Sequence, residues 1–381
     1  MTTESVNEAQ VRPAARQVGR LADPDSNLST DPRMNPTLLA TLSAFGFAEN
    51  STPSPIGRDA SEADRLALVA QTEQGFEAFY GALNEDLVDD RPAVVRESHN
   101  VTGTAGNDIA LHIYRPVNAA NAIPGVVYLH GGGMTMLAVD NPVHQQWCED
   151  LVSAGMVVIA VDFRNAGGVR GPHPFPAGLN DCMSALEWIH VHRGSLGISS
   201  VVVQGESGGG NLALAVALTA KRNGVLESID GVYAMVPFIS GGYGWPDERK
   251  LRELPSMIEN DGYFASCSRL DVLAATYDPN GQNAENPLCW PYFASIDDMI
   301  GLPPHVVSVN ELDPLRDEGE AYYRQLMKAG VPTYGRVNLG LTHAAESIFR
   351  KSVREANLAT IADIKRFALA CASPSRAQSR C

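Results

Sequence analysis

From Val94 onward, short apolar runs alternate with longer stretches of helical spacing. The apolar runs are Ile109–Tyr114, Gly125–His130, Val157–Asp162, Val201–Gln204, Gly231–Val236 and Val306–Asn310. Some are apolar at every position, as in Val157-Val158-Ile159-Ala160-Val161. That pattern suits strands of a parallel sheet covered on both faces. Between them the spacing predicts helices at His144–Ser153, Leu179–His192, Asn211–Arg222 and Asp317–Ala329. The alternation predicts an α/β fold, with a mostly parallel central sheet flanked by helices.

Two regions break this rhythm. Before Val94 lie two helical stretches, Pro36–Ala48 and Ser61–Leu83. In the second, Leu66, Leu68, Val69, Phe76, Phe79 and Leu83 recur at roughly helical spacing. Between the strands near Val236 and Val306 come about seventy residues rich in turns and aromatics. A long insertion of this kind in an α/β enzyme reads as an active-site cover. The expected organisation is a flexible tail over 1–35, N-terminal helices over 36–90 and a first core part over 91–240. An insertion over 241–300, a second core part over 301–372 and a C-terminal tail over 373–381 complete it.

Composition narrows the function. The 381 residues are 44% hydrophobic and 19% charged, enough apolar material for a large core. Lys and Arg number 29 against 44 Asp and Glu, a formal charge of −15. That balance argues against nucleic acid or an anionic membrane as partner, since both attract basic surfaces. No run approaches ~18 apolar residues, so no membrane span is expected. The six cysteines are scattered without metal-ligand spacing, and the first 35 residues lack a secretory apolar stretch. Reduced thiols and a cytoplasmic location follow as expectations.

The sharpest chemical signal is Gly205-Glu206-Ser207-Gly208-Gly209, directly after one apolar run and before a helical one. A strand-to-helix reversal this tight forces strained backbone angles at the serine, so small neighbours are needed on both sides. The hydroxyl then stands at the positive end of a helix, where a developing oxyanion is favoured. A second signal, His130-Gly131-Gly132-Gly133, ends another strand. The N–H groups of Gly132 and Gly133, with that of Gly208, can form an oxyanion hole. His130 reads as a brace for this loop rather than a base.

A serine nucleophile needs a base, and the base needs an orienting carboxylate. In the order Ser, Asp, His both follow Ser207, at the ends of late strands. His343 is the only histidine after His305, and Asp313 lies just past the run ending at Asn310. Glu311 and Asp317 are rival acids, although Asp317 better fits the start of the next helix. Glu206 reads chiefly as a structural carboxylate that hydrogen-bonds the turn, and otherwise as a tuner of the field near His343. Tyr243, Trp245, Tyr263 and Phe264 are candidate substrate-pocket walls or ordinary core of the insertion.

Together these residues resemble the bacterial hormone-sensitive-lipase-like carboxylesterases, which share the α/β-hydrolase fold with a helical cap. The resemblance also rests on His173-Pro-Phe-Pro-Ala-Gly-Leu-Asn-Asp181, Asn310-Glu-Leu-Asp-Pro-Leu-Arg-Asp-Glu-Gly319 and Gly340-Leu-Thr-His343. Phe163-Arg-Asn165, Ile239-Ser-Gly-Gly-Tyr243, Glu259-Asn-Asp-Gly-Tyr-Phe264 and Trp290-Pro-Tyr-Phe-Ala-Ser295 point to one member in particular. The likeness implies Ser207 as nucleophile, His343 as base, Asp313 as its partner, and Gly132, Gly133 and Gly208 as oxyanion donors. It implies a cap built from the N-terminal helices and the insertion, a small-molecule ester as substrate (lactones included) and, by family habit, a homodimer. There are two departures. Many members carry Asp-Ser-Ala where this chain has Glu206-Ser207-Gly208. They often carry Tyr-Arg-Leu-Ala-Pro-Glu where this chain has Phe163-Arg-Asn-Ala-Gly-Gly168.

The expected activity is serine carboxylesterase chemistry through an acyl-enzyme, with no metal or organic cofactor. Two other readings use the same residues. An acyltransferase would hand the acyl group to an alcohol or amine, and a non-catalytic homologue would only bind a ligand.

Overall fold

The apolar runs become the inner strands of one eight-stranded sheet. The computed structural model describes residues 25–84, 93–117 and 121–372. Its strands are β1 (Val94–Thr102), β2 (Asp108–Pro116), β3 (Ile123–Leu129), β4 (Val157–Asp162), β5 (Ile198–Glu206), β6 (Gly231–Met235), β7 (His305–Asn310) and β8 (Thr333–Asn338). They lie in the order β1-β2-β4-β3-β5-β6-β7-β8. β2 is antiparallel to β1 and β4, and every other pairing is parallel. At the centre, Val203 stands in register with Val127 on one side and Val232 on the other.

The helices are α1 (Pro36–Ala44), α2 (Glu62–Asn84), α3 (Pro142–Ser153), α4 (Ala177–His192), α5 (Gly208–Arg222) and α6 (Asp247–Glu253). Then follow α7 (Ser256–Glu259), α8 (Cys267–Tyr277), α9 (Ile296–Met299), α10 (Arg316–Lys328), α11 (Ala345–Ile348) and α12 (Arg354–Cys371). Strand alternation sorts the core into two layers. Val201 and Val203 join the layer of Leu186 from α4, Leu212 from α5 and Leu326 from α10. Val202 joins Trp147 and Leu151 from α3, and Ile361 and Ile364 from α12. Both faces of β5 are therefore covered, which is why Val201-Val202-Val203 at its centre is apolar at every position. No helix among the described residues is long and apolar enough to cross a membrane.

The structure departs from expectation in several places. β1, β8 and α12 stand outside the expected elements. β1 is an edge strand, largely exposed along its length, so it carries no apolar run to read. The tail expected over 1–35 falls outside the described residues up to 24, but residues 25–35 are packed. Leu28 and Met34 are buried there, and Arg33 pairs with both Asp31 and Glu259. Only part of the insertion, Phe264 to Leu273, borders the cavity described below. Its later part lies on the core instead: Asn211 Nδ2 donates to the Cys289 carbonyl at 3.0 Å, and the Tyr292 N–H donates to the Ile239 carbonyl at 3.2 Å. The expected C-terminal tail over 373–381 lies outside the described residues.

Candidate active site

Ser207 sits between β5 and α5 with φ 55° and ψ −118°. A non-glycine residue pays for such angles only when its surroundings over-determine them. They do so here. The Ser207 N–H donates to the Met235 carbonyl at 2.9 Å, and its own carbonyl accepts the N–H groups of Phe238 and Asn211, each at 3.0 Å. The glycines on either side have a steric cause. A Cβ at Gly205 would lie 2.7 Å from the Leu129 carbonyl oxygen, and one at Gly209 would overlap that same atom.

The structure brings Ser207, His343 and Asp313 into one hydrogen-bonded line. His343 Nε2 is 2.9 Å from Ser207 Oγ, and His343 Nδ1 is 2.8 Å from Asp313 Oδ2. A carboxylate accepts, so Nδ1 carries the proton and Nε2 keeps a lone pair toward the hydroxyl. Asp313 is fully buried, and its Oδ1 accepts the Leu315 N–H at 2.9 Å. Burial pushes the His343 imidazole down, but the charge and hydrogen bond of Asp313, with Glu346 and Glu318 beyond, leave it above its ordinary value. The rival acids are engaged elsewhere. Glu311 accepts the Gly340 N–H at 2.8 Å, and Asp317 accepts the Ser256 N–H at 2.6 Å.

Glu206 Oε1 accepts from the Tyr128 hydroxyl at 2.8 Å and from the Gly131 N–H at 2.7 Å. It thus ties the serine turn to the glycine run. Burial pushes this carboxyl up to about 7, against the pull of those two bonds. His130 stacks on Phe163 at 4.3 Å, and its Nδ1 donates to the Gly131 carbonyl at 2.7 Å. Burial, with His144 beside it, holds the His130 imidazole well below its ordinary value. The N–H groups of Gly132 and Gly133 donate to no backbone carbonyl among the described residues. The Gly133 nitrogen would be 2.7 Å from a Cβ placed at Gly208, so the glycine run and the serine turn are in close contact.

Above Ser207 and His343 lies a cavity of about 130 Å³. Gly131, Gly132 and Gly133 form part of its floor, Leu68, Thr72 and Phe76 of α2 one wall, and Phe264, Leu270 and Leu273 another. Of the four aromatics singled out from sequence, Phe264 lines it and three do not. Tyr243 is buried and donates to Glu318 at 2.6 Å. The Tyr263 hydroxyl donates to Asp31 at 3.0 Å. Trp245 packs beneath Arg249, whose guanidinium carbon is 3.5 Å from the ring centroid. Each of these three finds a polar or cationic partner away from the cavity, whereas Phe264 has only rings around it. The α2 wall was not singled out, because its apolar positions read equally as a helix packed on a core.

A strained serine on a strand-to-helix turn, at the carboxyl ends of parallel strands, is the arrangement of the α/β-hydrolases. Residues 126–347 match the family model described as alpha/beta hydrolase fold, and the chain belongs to that family. Within it the chain is a carboxylic ester hydrolase of the hormone-sensitive-lipase-like branch. It is similar to a solved structure titled brefeldin A esterase, a bacterial homologue of human hormone sensitive lipase, at 50% identity and a TM-score of 0.91. That likeness covers 93% of this chain and 98% of the other. It is 32% identical to carboxylesterase NlhH of Mycobacterium tuberculosis, over 61% of this chain and 73% of that protein. It is 28% identical to ethyl acetate hydrolase of Pseudomonas putida, over 81% of this chain and 91% of that protein.

Proposed function

We propose that this chain hydrolyses short-chain carboxylic esters through an acyl-enzyme on Ser207. His343 Nε2 takes the hydroxyl proton as Oγ attacks the ester carbonyl, and Asp313 holds the imidazolium that forms. The N–H groups of Gly132, Gly133 and Gly208 receive the oxyanion, each worth roughly 2.7–4 kcal/mol in a comparable enzyme. The carbonyl–alkoxy bond breaks and the alcohol leaves with the proton from His343. Water then repeats the sequence on the acyl-enzyme, regenerating Ser207 and releasing the acid.

The observation that carries this reading is the line from Ser207 Oγ through His343 to Asp313, at 2.9 and 2.8 Å. The substrate size follows from the cavity. Its volume of about 130 Å³ is close to that of an engineered cavity that takes benzene, so a short acyl group and a small alcohol fit best. The walls are largely apolar, which favours neutral esters, and one of the relatives is named ethyl acetate hydrolase. α2 and the stretch Phe264 to Leu273 serve as the cap.

Turnover of p-nitrophenyl acetate and butyrate by the wild type and by Ser207→Ala tests the reading. Removing such a nucleophile costs on the order of 10⁶ in kcat. Equal trace activity in both proteins would instead make this a ligand-binding homologue. Ester formation outpacing hydrolysis when short alcohols are added would make it an acyltransferase.

A further inference from the structure

Beside the face of α2 that lines the cavity with Leu68, Thr72 and Phe76, the helix carries a buried carboxylate, Glu73. A carboxylate withdrawn from water must be hydrogen-bonded, and Glu73 finds its donors outside its own helix. Oε1 accepts the Leu137 N–H at 2.7 Å, and Oε2 accepts the Val169 N–H at 2.9 Å.

The first of these bonds reaches the glycine run. Leu137 has φ 72°, a left-handed conformation that a leucine adopts only when held. Its N–H belongs to the same peptide unit as the Met136 carbonyl. In a trans peptide the two groups lie in one plane and point in opposite directions. On the far side, that carbonyl oxygen lies so close to Gly132 that any Cβ there would overlap it. Gly132 has φ 106°, and its own carbonyl accepts the N–H groups of Thr135 and Met136 at 3.1 and 3.2 Å. One peptide plane is thus gripped by Glu73 at its N–H end and pressed on Gly132 at its carbonyl end.

The second bond falls beside Gly167-Gly168. A Cβ at Gly168 would lie 2.6 Å from Glu73 Oε2, and one at Gly167 would lie 3.0 Å from Val69 Cγ1. A side chain at Gly168 would push the Glu73 carboxylate aside, and one at Gly167 would crowd Val69. The glycine pair and Glu73 form a matched set.

We infer that Glu73 is a positioning residue for the oxyanion hole: from the cap, it fixes the Met136–Leu137 peptide plane and through it the N–H groups of Gly132 and Gly133. The inference rests on the assignment of those glycines as oxyanion donors. Glu73→Gln keeps the side-chain volume but sets an amide NH₂ against one of two N–H donors. It lowers kcat for p-nitrophenyl acetate by about 10- to 100-fold, the scale of a small misplacement of reacting groups. KM changes by less than about threefold, and the loss is the same for the butyrate ester. Affinity for a trifluoromethyl ketone, which forms a tetrahedral adduct, falls by the same factor as kcat.

A residue that merely docked the cap would raise KM, more for butyrate than for acetate, and would leave kcat in place. That pattern, or an unchanged kcat, overturns the inference. If the variant does not fold, amide hydrogen exchange in the wild type decides. The Leu137 N–H is expected to exchange at least about tenfold more slowly than that of Gly132, and equal rates overturn the inference. An ester-inactive wild type would strike the hydrolase reading itself, whereas an active wild type with an active Glu73→Gln strikes this inference alone.

Discussion

The floor and the roof of the cavity are held in different ways. In the floor the fastening runs through main-chain groups, with the buried side chains of Asn310 and Glu206 bonded to them. The Ser207 peptide is bonded to Met235 and Phe238, the Leu312 N–H donates to the Leu341 carbonyl at 2.9 Å, and Asn310 holds the Thr342 carbonyl at 2.7 Å. In the roof the fastening is by side chains. Phe264 meets Phe47 and Phe349 edge-on, at 5.7 and 5.4 Å between ring centres, and Arg33 bridges Asp31 to Glu259. Backbone bonds at the ends of packed strands admit one geometry. Ring contacts tolerate repacking at modest cost. The difference assigns chemistry to the floor and selection of substrate to the roof, so damage to the first should appear in kcat and damage to the second in KM, with Glu73 the exception because its bond to the Leu137 N–H reaches down to the floor.

The largest test of that division is Asp313→Asn. Loss of the matching carboxylate reduced kcat about 10⁴-fold in a serine protease with this arrangement, and a similar drop is expected here. It also carries a pH signature. Only neutral imidazole can take the proton, so activity falls as pH drops through the His343 pKa. In the wild type the acid limb of kcat/KM is expected above the ordinary imidazole value of about 6.5, because Asp313 raises it. In Asp313→Asn the limb moves to lower pH. A rate near wild type, or an unmoved limb, would break the floor's side of the comparison.

Phe264→Ala comes next. It removes one wall and leaves Ser207, His343 and the glycine run in place. KM for p-nitrophenyl butyrate is expected to rise about tenfold, with kcat within about threefold of wild type. A larger loss in kcat than in affinity would dissolve the distinction between roof and floor. The smallest effect belongs to Arg33→Ala, measured by urea unfolding. It leaves Asp31 without its cation and Glu259 with Arg316 alone, at a cost of about 1 kcal/mol, with kinetic constants unchanged. A stability loss below a few tenths of a kcal/mol would show that the segment around Arg33 is not fastened by charge.

The floor was far more legible in the sequence than the roof, for a physical reason. Chemistry at the strand ends needs particular residue types at fixed local spacing, so Ser207 and the glycines around it announce themselves. Asp313 and His343 follow from chain order. The inner strands are legible because burial on both faces keeps their central positions apolar. The roof depends on which side chains from distant segments meet. Phe264 and Tyr263 are neighbours in the chain with opposite fates: one reaches the cavity, while the other turns to Asp31. Glu73 gave no signal, since one acid in an amphipathic helix reads as a solvated position. α12 is a different case, because Ile361, Ile364, Phe367 and Ala368 carry helical spacing that could have been read.

The Cα of Gly208 faces the nitrogens of Gly133 and Met134, and a Cβ there would lie 2.7 and 2.6 Å from them. Both atoms are main chain, so no change of rotamer can make room for a side chain. Gly208→Ala, ordinarily among the mildest of substitutions, would have to move either the serine turn or the glycine run, and the missing methyl group is what lets the two halves of the floor meet.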